Sequence, residues 1–444
     1  MTSHSDMQIT LRTPAELADA LPYLMGFHPT DSVVMVALKG ERGTFGGRLR
    51  LGIPAARDEW TDVAHQLAEC LVEGSLKRGA ELTGIIVFLC QDPAGDESPG
   101  DVMERLRPLA QRLRVACGRF DVPVVEALCL SAGRYWSYLC PDSACCPGEG
   151  TALAEPGTSA MAAAATYAGI QVRGSLREME ARLTPRAELP ADPQTQALDA
   201  AGAALVPRIL GGVPVVSGAP VVGDSGADRS DAAHHPADGG GPVRRSAAAE
   251  RRAVRREILT LAARVLSRLA ADPPGRGADA AGDAHDDALI ADDEAASLII
   301  GLQDRATRDR AAEWMEGRDA APALRLWRAL ARRCVGPYRE HATAPLTLAG
   351  WVAWSSGDDT AARVAFSKAL HLDPAYTFAS LLHQAVNEGL DPEPLRRSLR
   401  RRHRTARLRG QVRRTRPEGG RRPGERSRTR RRGDNCTPDS RPTP

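Results

Sequence analysis

The first 140 positions alternate between short, solid apolar runs and longer stretches in which apolar residues recur every three or four. Residues 32–38 (Ser-Val-Val-Met-Val-Ala-Leu) and 84–90 (Gly-Ile-Ile-Val-Phe-Leu-Cys) are continuous apolar runs with polar boundaries. That is the signature of strands covered on both faces. Residues 45–53 follow the turn Lys39-Gly40-Glu41-Arg42-Gly43 and read as a returning strand. Residues 122–130 and 134–139 read as a second strand pair. Between them, Val63, Leu67, Leu71 and Val72 predict a helix over 60–76, and Leu106, Leu109 and Leu113 predict one over 102–117. Near the start, Thr13, Pro14 and Glu16 stand where an N-cap, a first-turn proline and a capping-box acid belong. A small-residue helix is predicted over 159–170. Strands alternating with helices imply an α/β domain around a mixed sheet, over residues 9–206.

Residues 207–247 lack any sustained period and are rich in Gly, Pro, Ala and Asp, so they read as a flexible linker. His234 and His235 fall in it and read as solvated loop residues. From 248 to 399 the spacing is helical, as at Ile258, Leu261, Val265 and Leu269, apart from an acidic loop expected over 271–288. This half reads as an all-α C-terminal domain. Within it Gly350, Ala362, Phe366, Ala369 and Pro374 have the spacing of one tetratricopeptide-like helical hairpin over 343–376. A single such unit must stack on its neighbours. An ordinary bundle hairpin is the favoured reading, with a surface for a protein partner as the functional one.

Charge divides the chain. Residues 396–444 hold 19 Arg and four acids, whereas the preceding 395 hold 40 basic and 52 acidic residues. Residues 400–444 lack the apolar content to fold and read as a disordered Arg-rich tail. Such a tail would bind nucleic acid phosphates if it is functional, but no aromatics interleave its arginines. An out-of-register reading of GC-rich DNA would give the same composition, and the abrupt change after residue 395 favours it. Only Lys39, Lys77 and Lys368 are lysines, a bias in the same direction. Residues 1–10 are polar and predict no secretory leader, and no run approaches the ~20 apolar residues a membrane span needs. A soluble, cytoplasmic protein that does not engage a membrane is expected.

Two clusters are candidates for chemistry. Cys140, Cys145 and Cys146 follow the aromatic run Arg134-Tyr135-Trp136-Ser137-Tyr138. One C-x4-C arm with no second pair is an incomplete zinc knuckle, for which a distant fourth ligand such as His28 would be needed. Buried structural thiols are the favoured reading, with zinc binding next and redox or nucleophilic use third. The other cluster is Gly26-Phe27-His28-Pro29-Thr30-Asp31-Ser32, ahead of the first strand. There His28 could act as a base or ligand oriented by Asp31, although a structural turn is the more economical reading. Phosphate-loop, dinucleotide, zincin and nucleophile-elbow motifs are absent from the sequence.

The opening 11–17 (Leu-Arg-Thr-Pro-Ala-Glu-Leu), the box 24–34 (Leu-Met-Gly-Phe-His-Pro-Thr-Asp-Ser-Val-Val) and the run 134–146 together resemble an actinobacterial family known as domain of unknown function 4192. The resemblance covers about residues 9–395 and is strongest in the first 200. It implies a cytoplasmic actinobacterial protein and brings no activity, cofactor or catalytic residue. The function expected is a binding or regulatory module for a small ligand or protein partner. A hydrolase- or transferase-like enzyme using His28, Asp31 and a cluster thiol is the alternative.

Overall fold

The computed structural model describes residues 10–141, 146–155, 157–170, 172–185, 191–210, 242–275 and 280–401. The chain up to Glu393 forms one compact unit, and a second unit begins at Pro394. Helix α1 (Pro14–Met25) opens with the expected reciprocal cap: Glu16 N–H donates to Thr13 Oγ1, and Thr13 N–H donates to the Glu16 carboxylate. Strands β1 (Ser32–Lys39) and β2 (Thr44–Gly52) form a hairpin, followed by α2 (Trp60–Lys77), β3 (Leu82–Cys90), α3 (Pro99–Gly118), β4 (Val124–Ser131), β5 (Arg134–Ser137) and β6 (Thr151–Ala152). The strand order is β2-β1-β3-β4-β5-β6. Only β3 and β4 run parallel, with α3 as their crossover; the other neighbours are antiparallel.

The solid apolar runs follow from burial on both faces. Val33, Met35, Ala37, Ile85, Val87, Leu89 and Cys129 pack on α2 and α3. Val34, Val36, Ile86, Phe88 and Leu128 face the other way, onto Ala18 and Leu21 of α1. Successive residues of β1 and β3 thus alternate between two cores, which excludes polar residues from most of both registers.

Short helices α4 (Ala160–Tyr167) and α5 (Leu176–Ala181) lead into a helical region: α6 (Ala191–Leu210), α7 (Pro242–Ala271), α8 (Ala280–Ala288), α9 (Asp292–Gly301), α10 (Arg305–Ala311), α11 (Ala320–Arg332), α12 (Thr343–Ser355), α13 (Asp359–Leu372) and α14 (Thr377–Asn387). Helix α6 packs on α7 and α9, so helical packing begins well before residue 248. In the hairpin α12–α13, Gly350 lies under the Phe366 ring, where even a Cβ would come within 2.5 Å of it.

One expected loop is partly a helix. Residues 280–288 form α8, and its Asp283, Asp286 and Asp287 are buried. Spaced three and four apart, these acids share one face and meet arginines from α11. Arg325 donates to Asp286, and Arg332 makes a two-pronged pair with Asp287, Nε to Oδ2 at 3.0 Å and Nη2 to Oδ1 at 2.8 Å. Arg333 reaches Asp292 and Gln194. A helix whose buried face is charged reads as a loop because its partners lie about 40 residues downstream.

Candidate functional site

Polar side chains gather at the edge where β3 and β4 end and β1 begins. The segment 26–32 reaches it along a path fixed by its backbone. Gly26 adopts a left-handed conformation (φ 83°), which lets the chain leave α1. His28 then pairs with the strand-like segment before α5: its N–H donates to Gly174 O (2.8 Å), and Leu176 N–H donates to His28 O (3.0 Å). Asp31 follows with φ 47°, a left-handed value in a residue other than glycine. Its carbonyl accepts from Ile53 N–H at 2.9 Å, which locks this turn to the end of β2.

Asp31 projects its carboxylate into a chain of polar contacts. Arg177 of α5 donates to it at 2.9 Å, and Gln91, just beyond β3, donates at 3.3 Å. The Gln91 carbonyl accepts from Arg105 (2.9 Å), which makes a two-pronged pair with Glu97 at 2.7 and 3.0 Å. That pair holds the Glu97 carboxyl below its usual range, chiefly through the Arg105 hydrogen bond. Beside it, Asp92 accepts from Ala132 N–H at 2.8 Å. Ala132 and Gly133 both have positive φ and make the two-residue turn between β4 and β5. Arg50, on β2, donates to Ser32 Oγ at 2.8 Å, and burial lowers its pKa against an opposing pull from Glu180. Ser131 Oγ is buried at the same edge without a hydrogen-bond partner. The edge therefore offers acceptors, donors and both signs of charge on a backbone fixed by strands.

His28 is on this approach, but its imidazole is governed by burial. Desolvation lowers its pKa, and the nearby Glu178 carboxylate only partly opposes that. The neutral ring is therefore favoured at neutral pH.

The cysteine segment lies elsewhere. Tyr138 N–H donates to Ala127 O, and Cys140 N–H to Ser137 Oγ, which itself donates to Glu126. Glu126 pairs with Ile86, four residues before Cys90 on β3. Ser137 itself pairs with Leu128, two residues before the Leu130–Cys90 row, so the cysteine segment leaves the sheet about 7 Å short of the edge that carries Asp31. Cys145 lies outside the described residues. Among the described residues no group of three or more His, Cys, Asp or Glu is placed to hold a metal ion. His28, the fourth ligand considered for a zinc site, instead pairs through its backbone with Gly174 and Leu176. Cys129 and Cys117 are core thiols, each raised to about 11, chiefly by burial. Among the described residues no helix is long and apolar enough to cross a membrane.

The model of one family, Domain of unknown function (DUF4192), matches residues 14–233 and 214–393. The chain belongs to this family. The matched residues take in both the sheet and the helical region, so the DUF4192 match spans the edge around Asp31 and the α8–α11 ion pairs alike. No curated protein and no solved structure matches the chain.

Sequence reasoning found Asp31 and His28 through the density of turn-forming polar residues before β1. It missed Gln91, Asp92, Arg105 and Arg177. These converge only through strand pairing and the return of the chain at 173–177, and single polar residues after a strand give no local pattern. The signal that could have found Gln91 and Asp92 is their position directly after a buried strand and ahead of a capped helix, where open α/β sheets place ligands.

Proposed function

We propose that this DUF4192 protein is a binding module that takes a small polar ligand at the carboxyl edge of β3 and β4. The observation that carries the reading is the left-handed Asp31, held with its carboxylate between Gln91 and Arg177. Non-glycine residues in that conformation cost on the order of 1–3 kcal/mol, and such strain gathers at functional sites. Arg50, Ser131 and the Asp92 carboxylate supply further polar contacts around it. A ligand exchanging with Arg177 for Asp31 would meet a backbone already fixed, with little left to order on binding.

The buried, solitary thiol of Cys334 and the core thiols Cys117 and Cys129 fit a reducing, cytoplasmic setting, and the Arg-for-Lys bias fits an actinobacterial source. The helical region is the proposed face for any protein partner. Nucleic acid binding through the tail rests on residues 400–444, of which 402–444 lie outside the described residues.

The test is a thermal-shift panel on the full chain with nucleotides, sugar phosphates, amino acids and dicarboxylates. At least one compound should raise the Tm of the wild type and lose most of that effect in Asp31→Asn. Panel compounds that act equally on both proteins, or none that acts at all, would refute the proposal.

A further inference from the structure

β2 forms the outer edge of the sheet and pairs with β1 alone. In an antiparallel pair about half of a strand's N–H and C=O groups face away from its partner. On β2 that outward row makes no hydrogen bond with the described residues. Gly46 and Gly47 together stand opposite Ala37 in a bulge, which leaves 48–52 as the longest regular stretch of the edge. There the edge is open: Arg48, Leu51 and Gly52 are exposed, and Leu49 and Arg50 are half-buried. The two faces of this stretch differ. Arg48 and Arg50 pair with Val36 and Val34 and share the α1 side of the sheet. Leu49 and Leu51 pair with Met35 and Val33 and share the α2 side. Arg78, at the end of α2, lies across the glycines: a Cβ on Gly47 would come within 2.5 Å of its guanidinium.

Three arginines thus border the open edge, and none is held there in an ion pair. Arg50 donates to Ser32 Oγ, an uncharged acceptor. Arg48 and Arg78 are exposed. The acids that act on Arg48 and Arg50 are Asp359 and Glu180, and neither forms an ion pair with them; Asp359 is paired with Arg363 at 3.7 Å. An unpaired row of backbone groups is a template for another strand, and these charges select which one. A second copy of this chain is disfavoured: two-fold pairing centred on Arg48, Leu49 or Arg50 sets arginine directly opposite arginine. We propose that residues 48–52 are a docking edge for an extended acidic segment of a partner protein, which adds to the sheet as a further strand. Acidic residues at alternate positions meet Arg48 and Arg50, apolar ones between them cover Leu49 and Leu51, and an acid beyond the stretch reaches Arg78. Main-chain hydrogen bonds supply affinity, and the alternation supplies specificity. The edge adds to the helical region a second face for a protein partner. It uses none of Asp31, Gln91 and Arg177, so different variants test it.

The probe is a fluorescein-labelled peptide of alternating Glu and Val, titrated with the full chain and followed by anisotropy. Its controls are the same peptide with Lys in place of Glu, and the Glu peptide N-methylated at alternate amides along either edge. The Glu peptide should bind about tenfold or more tightly than the Lys peptide, and methylation of the edge that pairs with β2 should weaken it by a similar factor. Arg48→Gln/Arg78→Gln should also weaken it about tenfold, whereas Asp31→Asn should leave it unchanged. Hydrogen exchange should show slowed amides at 48–52 in the complex. Equal binding of the Glu and Lys peptides would overturn the proposal. So would full affinity in both methylated peptides, which marks adhesion by charge alone, or in the double arginine variant. Protection that spares 48–52, or a free chain already dimeric with this edge protected, would overturn it too.

Discussion

Replacing Arg332 by Met removes the centre of the buried ion-pair lattice between α8 and α11. Arg332 is completely buried, and Asp287 is 3% exposed. The variant would leave the Asp287 carboxylate without its two-pronged partner, and Arg182 O and Asp283 O without a donor. Removing one member of a buried pair costs about 3–5 kcal/mol, most of it the penalty on the charge left behind. A loss of about 4 kcal/mol is therefore expected. Urea unfolding followed by tryptophan fluorescence measures it, since Trp314, Trp327, Trp351 and Trp354 all report on the helical region.

The pH dependence has a definite sign. Burial raises the Asp287 pKa above its ordinary 3.8, outweighing the hydrogen bond from Arg332. The folded state thus holds this proton more tightly than the unfolded state does. The associated stability is fully present below about 3.8 and is lost as pH rises through the folded-state pKa. Without Arg332 the folded pKa rises further, so the deficit of the variant is greatest at neutral pH and shrinks on acidification. The double variant Arg332→Met/Asp287→Leu removes the stranded charge and should recover at least about 2 kcal/mol. A single-variant loss below ~1 kcal/mol, or a double variant no more stable than the single, would refute this account of the lattice.

Two further outcomes follow from backbone geometry. Ala132→Asn should stabilise by about 1 kcal/mol, because Asn accepts the left-handed conformation of this hairpin turn more readily than Ala; unchanged stability in urea would show that Ala132 is not strained. Gly350→Ala should destabilise by about 1–3 kcal/mol through overlap with the Phe366 ring; a gain in the same assay, as helix propensity alone predicts, would contradict the packing.

The hydrophobic pattern was enough to place β1 to β5 but not β6. The run at 32–38 is β1 (Ser32–Lys39), 84–90 lies inside β3, and 60–76 is α2 to within a residue. The two strands are legible because both faces of β1 and β3 are buried along most of their length, which leaves few polar positions to blur the pattern. Helix α8 was not legible, since its burial is bought by arginines from a distant helix. The candidate site was half legible. His28 and Asp31 stand out locally, whereas Gln91, Arg105 and Arg177 join Asp31 only after the sheet and α5 are in place. Proximity to the cysteine segment could not be read either, because it depends on which end of β4 each segment meets.

Hydrogen exchange on the full chain, with the strongest ligand from the thermal panel, tests the location of the site most directly. The account predicts added protection in the peptides covering 26–32, 90–98, 131–134 and 173–178, with residues 140–147 unchanged. Protection confined to 140–147, or spread evenly over the chain, would contradict it.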